Sequence, residues 1–161
     1  MVNVNIHDTK NSTPHSPPIE GTGSIYYALF HKLPQDVSIA DGFFEGWPNP
    51  PDKCAHRRIL AESYMSVVAV DRERHLIVGF LNVVSDGVLS AYIPLLEVIP
   101  AYRHQGIGTK LVKIALEKTS HLYMVDLCCD AELMPFYEKL GMSGSNAMIR
   151  RNYDRQNASL E

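Results

Sequence analysis

No apolar run in the chain is long enough to cross a bilayer. The two longest, Leu76 to Val84 and Val88 to Leu96, reach about half of the ~20 residues a spanning helix needs, and Asn82, Asp86 and Gly87 interrupt them. Cysteine is scarce: Cys54, Cys128 and Cys129 make an odd number, too few for a disulfide-stapled scaffold. The opening Met1 to Glu20 is polar and lacks an apolar signal core, so a cytoplasmic protein with reduced thiols is expected. Neither sign of charge dominates. Fifteen Lys and Arg face 18 Asp and Glu, a net charge of −3 with pI near 6.1. That balance gives no general attraction to nucleic acid or anionic lipid, and no local basic patch stands out. The seven histidines never form His-x-x-x-His, and no Cys-x-x-Cys occurs, so no metal site is expected. Internal repeats are also missing.

What remains is ordinary globular material: 161 residues, 45% hydrophobic, enough for one domain with a real core. A short strand is expected at Val2 to Ile6. The segment Asp8 to Gly23, with Pro14, Pro17, Pro18, Gly21 and Gly23, reads as a loop or arm. Residues 24–153 form the domain, and residues 154–161 a frayed tail. Ser24 predicts a helix cap before Ile25 to Leu33, where Tyr26, Leu29, Phe30 and Leu33 recur at helical spacing ahead of Pro34. The aromatic stretch Phe43, Phe44 and Trp47 reads as a bent loop, followed by a helix over Asp52 to Glu62. Tyr64 to Val70 and Leu76 to Val84 predict a hairpin, and the Asp86-Gly87 turn leads to a third strand, Val88 to Ile99. A helix follows at Gly106 to Ser120, with Ile107, Leu111, Ile114 and Ala115 on its apolar face. Next come a strand at Leu122 to Cys128, a helix from an Asp130 cap to Leu140 stopped by Gly141, and a last strand at Ala147 to Arg151.

The chemistry starts at Tyr102-Arg103-His104-Gln105-Gly106-Ile107-Gly108-Thr109, between a strand end and a helix start. Helix N-termini carry orphan amides and the positive end of the dipole, and glycine there lets a phosphate approach. Arg103 adds a guanidinium and Thr109 a hydroxyl. An Arg-x-x-Gly-x-Gly string occurs by chance in about one chain in twenty-five of this length, so context must support it. A dinucleotide fingerprint would need glycine at Leu111, and a P-loop would need Gly-Lys-Ser/Thr order, which Thr109-Lys110 reverses. A tight glycine turn without ligand is the bland alternative.

Two ordered stretches resemble the GNAT superfamily of acetyl-CoA-dependent N-acetyltransferases. Leu95 to Gly108 looks like that family's acetyl-CoA strand, loop and helix start, and Asp130 to Met142 looks like its Phe-Tyr-Glu-Lys-Leu-Gly motif. The resemblance covers Tyr64 to Arg151 well and the first 60 residues poorly. It implies an α/β (α+β) fold with a central, mixed but mostly antiparallel sheet, helices on both faces, and strands splayed to admit pantetheine. Pro94 suits such a splay, since proline removes a ladder hydrogen bond.

The resemblance also implies roles. Acetyl-CoA is the expected cosubstrate, bound by Leu96, Val98, Arg103, His104, Gln105, Gly106, Ile107, Gly108 and Thr109. Tyr137 resembles the family's general acid toward the departing thiolate, with a core tyrosine as the alternative. The Val98 amide is the candidate for polarising the thioester carbonyl. Glu97, the only charge between Asp86 and Arg103, is a base or an anchor for a cationic acceptor, or else a structural carboxylate. Tyr92 and His121 are lesser candidates for deprotonation. Cys128 and Cys129 raise a covalent acyl-cysteine scheme, although paired small apolar residues at a strand end usually pack. The expected function is acetyl transfer to a primary amine, small or on a protein, by direct attack in a ternary complex. A non-catalytic acyl-CoA-binding or regulatory module of the same fold is the alternative. The acceptor is not named by any residue string. The resemblance allows a homodimer without marking an interface.

Overall fold

Two valine-rich stretches set the centre of the sheet. In the computed structural model of the chain, which describes residues 23–159, β3 (Met65–Asp71) pairs antiparallel with β4 (Leu76–Ser85). All seven residues of β3 are buried, because helices cover both faces; a strand covered twice reads as a continuous apolar run. Next to β4, β5 (Ser90–Val98) adds a third antiparallel strand, and β6 (Met124–Leu127) joins β5 in parallel. β1 (Ile25–Leu29) closes the other side against β3, giving the order β1-β3-β4-β5-β6. The two-residue β2 (Ser38–Ile39) pairs with β4 at Leu76 and Ile77, just where β5, whose pairing ends at Gly79, leaves that edge free.

The helix α2 (Ile107–Lys118) buries Ile107, Leu111, Val112, Ile114 and Ala115 against one face of the sheet. On the other face, α1 (Lys53–Glu62) contributes Leu60 to the apolar cluster of Val68, Val70, Ile77 and Phe80. Asp52 caps α1, accepting from the Ala55 amide at 2.7 Å. The hairpin, the third strand, α1 and α2 thus form where the sequence pattern expects them.

Four expectations are corrected. Ile25 to Leu29 is a strand, and Ser24 caps no helix; only a 3-10 turn, Phe30–Lys32, follows. The residues alternate between faces, Ile25, Tyr27 and Leu29 to the α2 side and Tyr26 and Ala28 to the α1 side, and β3 offers five ladder partners. That edge outweighs the helical spacing. The second is the Asp130 helix, which is split into a 3-10 turn, Ala131–Leu133, and the short α3 (Met134–Glu138), and Asp130 makes no side-chain cap. Pro135 lacks the amide a continuous helix would need, but a first turn tolerates it. Its stop is as expected: Gly141 has φ +87° and Met142 donates back to the Tyr137 carbonyl at 3.2 Å. Third, no strand forms at Ala147 to Arg151; Met148 and Ile149 are exposed, so little burial offsets the cost of ordering them. Fourth, the tail does not simply fray: Tyr153–Arg155 forms a 3-10 turn, Gln156 accepts from the Asn49 amide at 3.0 Å, and Arg58 donates to the Ala158 carbonyl. The strand at Val2 to Ile6 and the loop expected over residues 8–22 lie outside the described residues.

Candidate active site

The site opens where β5 and β6 part. Their pairing stops at Ile93 opposite Leu127, and Pro94 follows. Against β4, the register moves from Val84–Tyr92 to Asn82–Leu95, so Ile93 and Pro94 together face the single residue Val83. This is a bulge on β5 holding a residue that cannot donate to a ladder. A cleft of about 530 Å³ lies beyond it, walled by Ile93 to Val98 on one side and Leu127 to Asp130, Leu133 and Tyr137 on the other. Glu45, Trp47 and Arg103 complete its rim.

Alternation decides which backbone groups face the cleft. The Ile99 amide donates to the Val78 carbonyl of β4 at 3.0 Å. Successive residues of a strand point their N–H and C=O groups to opposite edges, so those of Val98 and Leu96 point away from β4, toward the gap. Arg103 Nε donates to the Val98 carbonyl there at 3.0 Å. An extended chain with amides can therefore lie along β5 as an added strand.

The glycine loop stands at the same end of β5. Gly79 has no Cβ because one would meet Ile107 Cγ2 at 3.2 Å, the Glu97 carbonyl at 3.3 Å and Val98 Cγ2 at 3.3 Å; glycine brings the first turn of α2 onto the sheet. The entry to the loop is pinned by the Tyr102 hydroxyl, which donates to Asp71 at 2.6 Å; that bond, with two backbone amides, holds the Asp71 carboxyl below its ordinary range. His104 and Gly106 then take φ of +61° and +77°. Gly106 is the N-cap of α2 and has no side chain with which to cap it, so the amides of Ile107, Gly108 and Thr109 have no partner from the helix itself. Space at Gly106 is open, since an added Cβ would meet nothing within 4 Å. Orphan amides, open space and a dipole end together fit a pyrophosphate. The Ile107 side chain is buried, leaving only its amide for a ligand.

The polar side chains follow. Glu97 accepts from the Phe44 amide at 2.7 Å. Burial pushes its carboxyl up, opposed by that bond and by Arg103. Tyr137, half-buried on α3, is also pushed up, first by burial and then by nearby Cys129. Phe136 packs edge-on against it at 4.8 Å and stands 4.0 Å from where a Gly108 Cβ would lie, which ties α3 to the start of α2. Arg103 is engaged at the cleft rim. Its Nη1 pairs with Glu45 at 2.9 Å.

Sequence reasoning missed Glu45. The only signal was a carboxylate inside the aromatic run Phe43-Phe44-Glu45-Gly46-Trp47, and its meaning depends on Phe44, which takes φ +59° and is buried. Asp130 lies in the cleft wall, as do Cys128 and Cys129, and no histidine lines the cleft to serve the acyl-cysteine scheme. Tyr92 faces Asp126 of β6 outside the cleft lining, and its hydroxyl is raised chiefly by a hydrogen bond with Cys128. His121 lies beyond the far end of α2, roughly 18 Å of helix from the glycine loop. Among the described residues no His, Cys, Asp or Glu group forms a metal cluster, and no helix is long and apolar enough to span a membrane.

Residues 35–142 match the model of the acetyltransferase (GNAT) family. The chain belongs to this family. Acyl transfer is GNAT chemistry, and acetyl-CoA is the cosubstrate of the GNAT family. A solved structure described as a candidate acetyltransferase of Deinococcus radiodurans R1 is 40% identical, with 88% of this chain and 97% of that one covered at a TM-score of 0.76. A GNAT-family acetyltransferase of Streptococcus pneumoniae TIGR4, 24% identical over 80% of this chain and 98% of that one, has the same fold at a TM-score of 0.59. N-alpha-acetyltransferase 30 of Schizosaccharomyces pombe is 31% identical over 92 residues, 53% of this chain and 61% of that protein. This chain thus spans about three fifths of that GNAT relative's length.

Proposed function

We propose that this GNAT protein transfers an acetyl group from acetyl-CoA to a primary amine by direct attack within a ternary complex. The observation that carries the reading is the opened edge of β5, where the Leu96 and Val98 backbone groups face a cleft shared with Glu97 and Tyr137. Acetyl-CoA, when bound, supplies an activated thioester. The amides of Ile107, Gly108 and Thr109 hold its pyrophosphate, with Gly106 keeping the approach open. Loop residues Arg103, His104 and Gln105 flank that phosphate site. Leu96 and Val98 align the pantetheine arm, and the Val98 amide donates to the oxygen on which negative charge develops. Glu97 takes a proton from the amine; its raised affinity for protons suits a base better than an ordinary surface carboxylate would. Tyr137 stays protonated well above neutral pH and so holds a proton for the departing sulfur. We place the protein in the cytoplasm, with its thiols reduced.

Calorimetric titration with CoA and desulfo-CoA tests this. Both ligands are expected to bind the protein, and Gly106→Val to weaken both about tenfold or more, because valine at φ +77° is strained and shields the amides. Absence of binding by either ligand overturns the reading.

A further inference from the structure

The ion pair between Glu45 and Arg103 joins the two halves of the site. Arg103 belongs to the loop that leads into the α2 amides, whereas Glu45 belongs to the aromatic loop beside it on the rim. Arg103 is held there twice, by Glu45 at 2.9 Å and by the Val98 carbonyl at 3.0 Å. The second bond covers the β5 edge that a pantetheine arm would use. Glu45 follows Phe44, whose amide is bound by Glu97, and both carboxylates line the same cleft, with Trp47 two residues on from Glu45. Both partners of the ion pair are about half exposed, at 45% and 58%, and such a pair is weak. A pyrophosphate, with more charge and fixed oxygens, competes well for the guanidinium.

We propose that Glu45 recognises a second positive charge on the acceptor, and that Arg103 masks it until a pyrophosphate draws the guanidinium away. This rests on the acetyl-transfer reading above. Once Arg103 turns to the phosphate, Glu45 loses its partner and the rim carries Glu45, Glu97 and Asp130 without a cation among them. Glu97 faces the reacting amine, so Glu45 is left for a further cationic group, and the Trp47 ring offers that group an aromatic face. The acceptor class is a primary amine bearing another positive charge.

The test compares the wild-type protein with Glu45→Gln. Calorimetry with CoA should show the variant binding about two- to five-fold more tightly, because no ion pair need be broken first. In protein saturated with CoA, 1,4-diaminobutane should bind the wild type at least ~3-fold more tightly than butylamine, and Glu45→Gln should erase that preference. Trp47, the only tryptophan, gives an independent readout: CoA should shift its emission in the wild type and shift it less in the variant. Equal CoA affinity in the two proteins overturns the masking, and equal affinity for the two amines overturns the role of Glu45. Failure of CoA to bind either protein overturns the acetyl-transfer reading itself, and this proposal with it.

Discussion

Glu97 carries two duties that pull in opposite directions. As an acceptor for the Phe44 amide it fixes the aromatic loop, a role that any side chain with a correctly placed oxygen fulfils. As a base it must titrate. Glu97→Gln separates the two, because its amide oxygen still accepts from Phe44 while it takes no proton. The expected outcome is an unchanged melting temperature with kcat lowered about 10²-fold or more, read as thiol release from acetyl-CoA with a panel of amines; Glu97→Ala should lose both. His56 presents a different problem. It is 2% exposed, lies among Phe43, Phe44 and Phe80, and leaves Nε2 without a partner. Burial lowers its pKa from 6.5 to about 4. Since the folded value lies below the unfolded one, its stabilising effect is full above about pH 6.5 and is lost as pH falls through about 4. The loss is on the order of 3 kcal/mol. Urea midpoints measured from pH 7 to pH 4 should fall less steeply for His56→Phe than for the wild type. Glu97 stood out as a lone charge in an apolar strand, but its face depended on the bulge at Pro94, and His56 had no marker at all.

At the scale of elements, local pattern was most legible where one segment decides its own structure. The apolar stripe of α2, the start of α1 at Asp52 and the glycine stop at Gly141 are local signals, and each is where it was expected. Elements that need a distant partner were less legible. β1 exists because β3, some 40 residues on, has an unpaired edge, and residues 147–151 stay irregular because Met148 and Ile149 are exposed and gain little from pairing. The meeting of β4, β5 and α2 gives the sharpest element-scale prediction. Gly79→Ala places a methyl against Ile107, Val98 and the Glu97 carbonyl at once, all at 3.2 to 3.3 Å. Overpacking of this kind costs roughly 1 to 3 kcal/mol. Because it lifts the first turn of α2 away from β5, CoA affinity should drop along with the melting temperature. A loss of stability with CoA affinity intact would show that the helix start and the strand are positioned independently.

Across the whole molecule, protection should follow the layering of the sheet. β3 and β4 lie between two apolar clusters and have ladder partners on both sides, whereas β6 is a four-residue edge strand with no fully buried residue. Hydrogen exchange is expected to be slowest at the amides of Val67 to Val70 and Ile77 to Leu81, limited there by global unfolding. Exchange should be fastest over residues 143–152. Equal protection at β6 and β4 would contradict this ordering. The family belongs to this scale too, since it was legible from two motifs that together cover only part of the chain. The acceptor was not, because the acidic residues of the cleft, Glu45, Glu97 and Asp130, belong to three separate segments.

The end-to-end arrangement of β2 and β5 along one edge of β4 has a consequence for descent. β2 and the bond from the Phe44 amide to Glu97 tie the aromatic loop to the sheet, while the glycine loop hangs from β5 and α2. Loops of this sort accept substitution and insertion far more readily than the strands that carry them. Variation at the exposed positions of residues 41–49 can therefore re-shape one rim of the cleft while β5 and the glycine loop stay as they are, so that a new specificity would not require the fold to be rebuilt.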